Sequence, residues 1–289
     1  MTYCLSMVVN DGLVFCSDSR TNAGSDMLSS YSKMHVFRPD NNRVFCILSA
    51  GNLATTQAVI SQLEQDLEDP GKTSLLTCNK MFEAARYVSA VNRNEQVLAE
   101  KAASGSGVDM SASLILGGQI RGGGHAIYLI YPAGNFIAAS EETPYLQIGE
   151  SKYGKPILDR IISADTSLED AARCAIVSMD STIKSNATVG PPIEVLVYEK
   201  DSFDTDHYIK MEVEDEYLRE IKRSWDETLK AGFSSLPRFE WETRAVMPIQ
   251  GSLPQSSEQG TNQPFSETHH SPDDILPSGS LPSDDSQQT

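Results

Sequence analysis

The chain has 289 residues, a formal charge of −17 at neutral pH and 39 % hydrophobic residues. That length suffices for one sizeable buried core, while the acidic balance disfavours nucleic acid and anionic membranes, whose phosphates require clustered Lys and Arg. No apolar run reaches the ~18 residues of a membrane-spanning helix, and Cys4, Cys16, Cys46, Cys78 and Cys174 show neither a C-x-x-C nor a metal-ligand spacing, so they read as reduced, buried thiols of a cytoplasmic protein.

The chain opens Met1-Thr2-Tyr3. A small residue behind the initiator lets an aminopeptidase remove the Met, leaving a hydroxyl and a free α-amine on Thr2. Such an amine titrates near ~8 and can take the hydroxyl proton. A Thr in this place is also common without chemical meaning. No signal peptide is expected before it, so loss of Met1 alone would expose the group. Residues 3–9 read as a strand, Asn10-Asp11-Gly12 as a hairpin turn, and 13–17 as the returning strand. Asp18 ends that strand, where pairing carries it back toward the chain start. A polar loop, Asp18-Ser19-Arg20-Thr21-Asn22-Ala23-Gly24, precedes Lys33 and an apolar strand over 34–37. A Lys near Thr2 would ease deprotonation of the amine and hydroxyl, with Asp18 holding it in place. Taken singly, each charge reads as a surface residue beside a hairpin.

Residues 43–50 form a mostly apolar strand, and Asn52 caps a helix striped by Leu53, Val59, Ile60, Leu63 and Leu67 that ends at Pro70-Gly71. Met81, Ala84, Ala85, Val88 and Val91 mark a second helix. Strands follow over 111–116 and 125–131, with Pro132-Ala133-Gly134-Asn135 turning into 136–139. Thr166-Ser167-Leu168-Glu169-Asp170 opens a capped helix whose apolar face continues through Ala172, Ala175, Ile176, Met179 and Ile183. A strand over 194–198 and an alternating stretch over 207–213, with Ile209, Met211 and Val213 on one side, precede a helix striped by Leu218, Ile221, Trp225 and Leu229 and closed by Gly232. Segregated strands and helices argue for α+β layers rather than a parallel βαβ sheet.

Other features are weaker. The Gly-rich run 117–124 lacks Gly-x-Gly-x-x-Gly order and leads into a strand, so it reads as a hairpin turn. Ser104-Gly105-Ser106-Gly107 reads as a flexible loop, and His35 as a packed strand residue. His269-His270 is too isolated for a metal, and the Asn186-Ala187-Thr188 glycosylation triplet is irrelevant without secretion. Residues 250–289 contain no Lys or Arg, and without their six carboxylates the remainder carries −11. We therefore expect one domain over 1–244 and a disordered tail over 245–289.

Thr2-Tyr3-Cys4, Asp18-Ser19-Arg20-Thr21-Asn22-Ala23-Gly24, Lys33-Met34-His35-Val36-Phe37 and Ser49-Ala50-Gly51 together resemble the start of a proteasome β-type subunit, and more closely the Anbu (ancestral β-subunit) family. The similarity extends from Thr2 to about Arg244 and is least good over 95–109. It implies an N-terminal nucleophile hydrolase fold, a four-layer αββα sandwich of two antiparallel sheets between helices. It further implies Thr2 as nucleophile, its amine as base, Asp18 and Lys33 as the tuning pair, and the Gly51 N–H as oxyanion donor. Chain around Thr21 and Asn22 would pair with an extended peptide, and a specificity pocket would involve Ser49 and Leu53. The family's Gly-Ser-Gly stretch corresponds to Ile148-Gly149-Glu150-Ser151-Lys152, with Glu150 or Ser151 in the serine's place. Its Asp-x-x-Ser-Gly corresponds to Asn186-Ala187-Thr188-Val189-Gly190, where a carboxylate has become an amide. The resemblance implies a threonine peptidase acting on peptides or proteins, needing no cofactor or metal, assembled as a ring or an open helical washer. An amidase for small or modified amides, and a scaffold that kept assembly but lost chemistry, stand as alternatives.

Overall fold

The computed structural model describes residues 2–22 and 28–244. The chain starts with β1 (Tyr3–Val9) and β2 (Gly12–Asp18), joined by the Asn10-Asp11 turn, then a two-stranded ribbon of β3 (Arg20–Asn22) and β4 (Leu28–Ser30). Next come β5 (Met34–Asp40), β6 (Arg43–Gly51), α1 (Leu53–Glu68), α2 (Met81–Ala102), β7 (Ala112–Ile120), β8 (Ala126–Ile130) and β9 (Phe136–Ala138). The second half holds β10 (Tyr145–Gly149), α3 (Lys155–Ile161), α4 (Leu168–Ser185), β11 (Ile193–Glu199), β12 (Tyr208–Met211) and α5 (Glu216–Ser234). One antiparallel sheet runs β10-β1-β2-β11-β12 and the other β5-β6-β7-β8-β9.

Period-2 alternation sorts each strand between two cores. In β1, Tyr3, Leu5 and Met7 pack on α4, while Cys4 faces the other sheet. In β6, Phe45 and Ile47 meet α1 and α2, while Cys46 and Leu48 meet the first sheet. Three apolar layers therefore separate helices, sheet, sheet and helices, the expected αββα sandwich. Asn52 caps α1 by accepting from the Thr55 N–H, and Ser167 caps α4 by accepting from the Asp170 N–H. All five cysteines are free and buried.

The structure corrects several expectations. Residues 20–22, expected as loop, pair as β3 with β4 through backbone bonds that polar side chains do not announce. β7 runs through Gly117 and Gly118 to Ile120, so the hairpin turn lies over 121–125. Gly117 is there for packing: a Cβ would stand 2.6 Å from the Phe15 ring of the facing sheet. β10 was not among the expected strands: it is only five residues long and is held by pairing with β1, far away in the chain, a partner its local sequence does not announce. Of the 207–213 stretch only Met211 is buried, whereas Ile209 and Val213 are exposed. α5 continues past Gly232 and is capped at Ser235, whose N–H reaches the Ala231 carbonyl. Residues 237–244 belong to a separate compact unit, in which α6 (Glu240–Arg244) carries Trp241 stacked on Phe239 at 5.5 Å. The expected tail over 245–289 lies outside the described residues.

Candidate active site

Thr2 stands just before β1, and three neighbours fix its backbone. The Glu150 N–H donates to the Thr2 carbonyl at 2.7 Å, and the next N–H, that of Tyr3, donates to Asp18 Oδ1 at 3.0 Å. Gly149 has φ +80°, and a Cβ there would lie 1.9 Å from the Thr2 carbonyl oxygen, so only glycine allows this approach. Tyr3 is fully buried and anchors the strand start, its hydroxyl sharing a hydrogen bond with Ser178 Oγ at 2.7 Å and accepting from Gln147 Nε2 at 2.6 Å.

The β1–β2 register, Cys4 opposite Ser17, brings Asp18 back beside the chain start. Lys33 Nζ donates to Asp18 Oδ1 at 2.7 Å and to the Arg20 carbonyl at 2.8 Å. Asp18 is wholly buried and Lys33 is 6 % exposed. Burial raises the Asp18 carboxyl above the usual carboxylate range, opposed by the Lys33 charge and by the N–H groups of Tyr3 and Gly190. The Ser49 N–H holds the Lys33 carbonyl at 3.0 Å, tying β6 to the segment that delivers the ammonium.

Thr2, Thr21, Lys33, Ser49 and Gly51 line one cavity of about 340 Å³, together with Leu53 at the start of α1. Gly51 ends β6 at φ +116°, where a Cβ would meet the Ser111 carbonyl at 2.3 Å. Arg20, Tyr31, His35 and Gln57 also line this cavity, and sequence reasoning gave none of them a role. His35, expected as a packed residue, is half-buried on the cavity wall, and burial holds its imidazole below the ordinary range against the pull of Glu194. Nearby Cys4 is no competing nucleophile, since burial pushes its thiol well up. None of these candidate residues lines the larger cavity of about 820 Å³ between α4, β11, β12 and the start of α5.

Glu150, of the two candidates after Gly149, is tied to Thr2 through its N–H. Its carboxylate accepts from Asn186 Nδ2 at 2.9 Å and pairs with Lys152 at 3.1 Å. Asn186 Oδ1 accepts from the Thr188 N–H and Oγ. Asn186 is thus linked to Thr2 through Glu150. The Ser151 N–H donates to the Gly149 carbonyl and the Ser151 carbonyl accepts from Gln147, while Ser151 is not among the cavity-lining residues. The Asn22 side chain lies outside the described atoms. Among the described residues no three His, Cys, Asp or Glu side chains group as metal ligands, and no helix is long and apolar enough to cross a membrane.

A family model described as proteasome subunit matches residues 2–198. Among solved structures, Anbu from Yersinia bercovieri is 44 % identical with TM-score 0.78, the match covering 83 % of this chain and 100 % of that one. The helical assembly of the Anbu complex from Pseudomonas aeruginosa is 44 % identical with TM-score 0.78, covering 82 % and 98 %. A Gly-1 mutant of Anbu from Hyphomicrobium sp. strain MC1 is 41 % identical with TM-score 0.77, covering 83 % and 100 %. No curated protein sequence matches. With the family model spanning residues 2–198 and identities above forty per cent over nearly the whole of these structures, the chain belongs to the proteasome-subunit family, among the Anbu (ancestral β-subunit) proteins.

Proposed function

We propose that this protein is a threonine-type peptidase whose nucleophile is the Thr2 hydroxyl, exposed as the chain terminus once Met1 is removed. The observation that carries this reading is the sharing of one cavity by Thr2 and Lys33, with Lys33 held by a wholly buried Asp18. A cation near the α-amine disfavours its ammonium form, so the amine is free to take the hydroxyl proton. Thr2 Oγ attacks the peptide carbonyl, and the amine passes the proton to the leaving nitrogen. An ester to Thr2 remains, and water hydrolyses it. The Gly51 N–H stabilises the oxyanion, a donor worth ~10²–10³ in rate where measured elsewhere. Thr21 in β3 presents backbone to an extended substrate. Copies of the chain assemble into a ring or an open helix, as the Pseudomonas aeruginosa relative does in its helical form.

The attachment of Asn186 to Glu150 favours a second reading, an assembly that retains only slow chemistry. Turnover of a fluorogenic peptide panel by wild type, T2A and K33A separates the two. Measurable cleavage lost in both variants supports the peptidase, whereas equal rates in all three proteins reject it.

A further inference from the structure

Glu194 is a carboxylate only 3 % exposed, yet among the described residues it forms no ion pair. It lies in β11 on the side that faces the other sheet, in the row continued by Leu196 and Tyr198. An apolar side chain would suit that layer, and a buried carboxylate without a cation costs stability unless hydrogen bonds compensate it. Three hydroxyls supply them. Ser19 Oγ donates to Oε2 at 3.1 Å, Tyr208 of β12 donates to Oε1 at 2.5 Å, and Ser32 Oγ, whose single proton is also within reach of the Met34 carbonyl at 2.9 Å, lies 2.8 Å from Oε2 and 3.1 Å from Oε1.

The identity of these donors is informative. Ser19 follows Asp18 and Ser32 precedes Lys33. The Tyr31 N–H also reaches the Ser19 carbonyl at 2.9 Å. Asp18, Ser19, Glu194, Ser32 and Lys33 therefore form a closed ring of covalent links and hydrogen bonds, completed by the 2.7 Å contact of Lys33 with Asp18. We infer that Glu194 is a positioning residue for the catalytic pair: it clamps the two segments carrying Asp18 and Lys33, setting where the Lys33 ammonium sits relative to Thr2. This rests on the reading of Thr2 as nucleophile. Glu194 acts through Ser19 and Ser32 and does not line the cavity.

The test compares wild type, E194A, E194Q and S32A in inactivation by a peptide epoxyketone, resolving the first-order rate kinact from the half-saturation KI, with melting followed in parallel. E194A should lower kinact by ~10–100-fold, the scale of a lost orienting partner or a misplaced reacting group, with KI unchanged. E194Q keeps one accepting oxygen, and its amide nitrogen can donate to a seryl oxygen in place of the other, so it should lose less kinact than E194A, and S32A should fall between wild type and E194A. A folded E194A with wild-type kinact overturns the inference, as does E194Q failing equally with E194A. Should E194A not fold, S32A decides alone: a kinact equal to wild type overturns the clamp. If wild type itself is never labelled, the nucleophile reading fails. The crystal structure of E194A, or of S32A should E194A not fold, then settles the clamp separately. Ser19 and the Lys33–Asp18 contact displaced would support it, and both unmoved would overturn it.

Discussion

Asp18 and Lys33 sit where charge is costly, and their mutual attraction does little more than offset the loss of water around both. Removing one partner strands the other, whereas removing both charges while keeping shape relieves the fold of the pair. D18N/K33M should therefore melt at or above the wild-type temperature while losing all reaction at Thr2, a combination that scanning calorimetry and a labelling assay read together. Its pH dependence follows from the direction of the Asp18 shift. Burial raises the native pKa above the unfolded value near ~3.9. The stability contributed by the Asp18 proton is thus present below the unfolded value and is lost as pH rises through the native one. Relative to wild type, the double variant should gain stability across that window, as denaturant midpoints in mildly acidic buffers will show. An unchanged difference between the two proteins would mean that Asp18 titrates as an ordinary carboxylate.

Strand ends and turns, more than helices, deliver these groups. Gly149 ends β10 with its backbone pressed against Thr2, so G149A should displace the nucleophile, costing about 1–2 kcal/mol for a side chain forced to positive φ and lowering Thr2 reactivity. Urea unfolding and the labelling rate check the two halves of that statement. Asn52→Ala removes the α1 cap and should cost about 0.5–2 kcal/mol, with little effect on labelling, since the cap bonds the Thr55 N–H and not the site. Much of this frame was legible beforehand. The Asp-Gly turn between two mostly apolar runs foretold the β1–β2 hairpin, and hairpin pairing alone carried Asp18 back to Thr2. The caps at Asn52 and Ser167 and the apolar stripes of α1, α2 and α4 were likewise readable, because each depends on neighbours within a turn. What stayed hidden depends on distant chain. β10 is short and owes its place to pairing with β1, far away in the chain. Gly117 answers to Phe15 in the other sheet. His35 faces a cavity that only the assembled strands create. Glu194 looked like one polar residue in a strand until Ser19, Ser32 and Tyr208 converged on it.

All three apolar layers are built from residues of the unit ending at Leu236, with Leu218 and Ile221 the last contributors. A chain ending at residue 244 should accordingly melt with the full-length protein, and a lowered melting temperature would assign the last 45 residues a structural role. The charge of −17 acts at the same scale. Copies brought together repel one another through fields that salt screens within about 10 Å at 0.1 M. Sedimentation should therefore show larger species as sodium chloride is raised from low concentration. An assembly that dissolves with salt would place opposite charges, rather than apolar surface, at its contacts. The central claim, that the exposed chain end is the reactive group, is tested most directly by intact mass and peptide mapping of the assembled protein after treatment with an epoxyketone. The account predicts a mass lacking Met1 and a single adduct on Thr2. Assembled protein that keeps its initiator, or an adduct placed anywhere else, would contradict it.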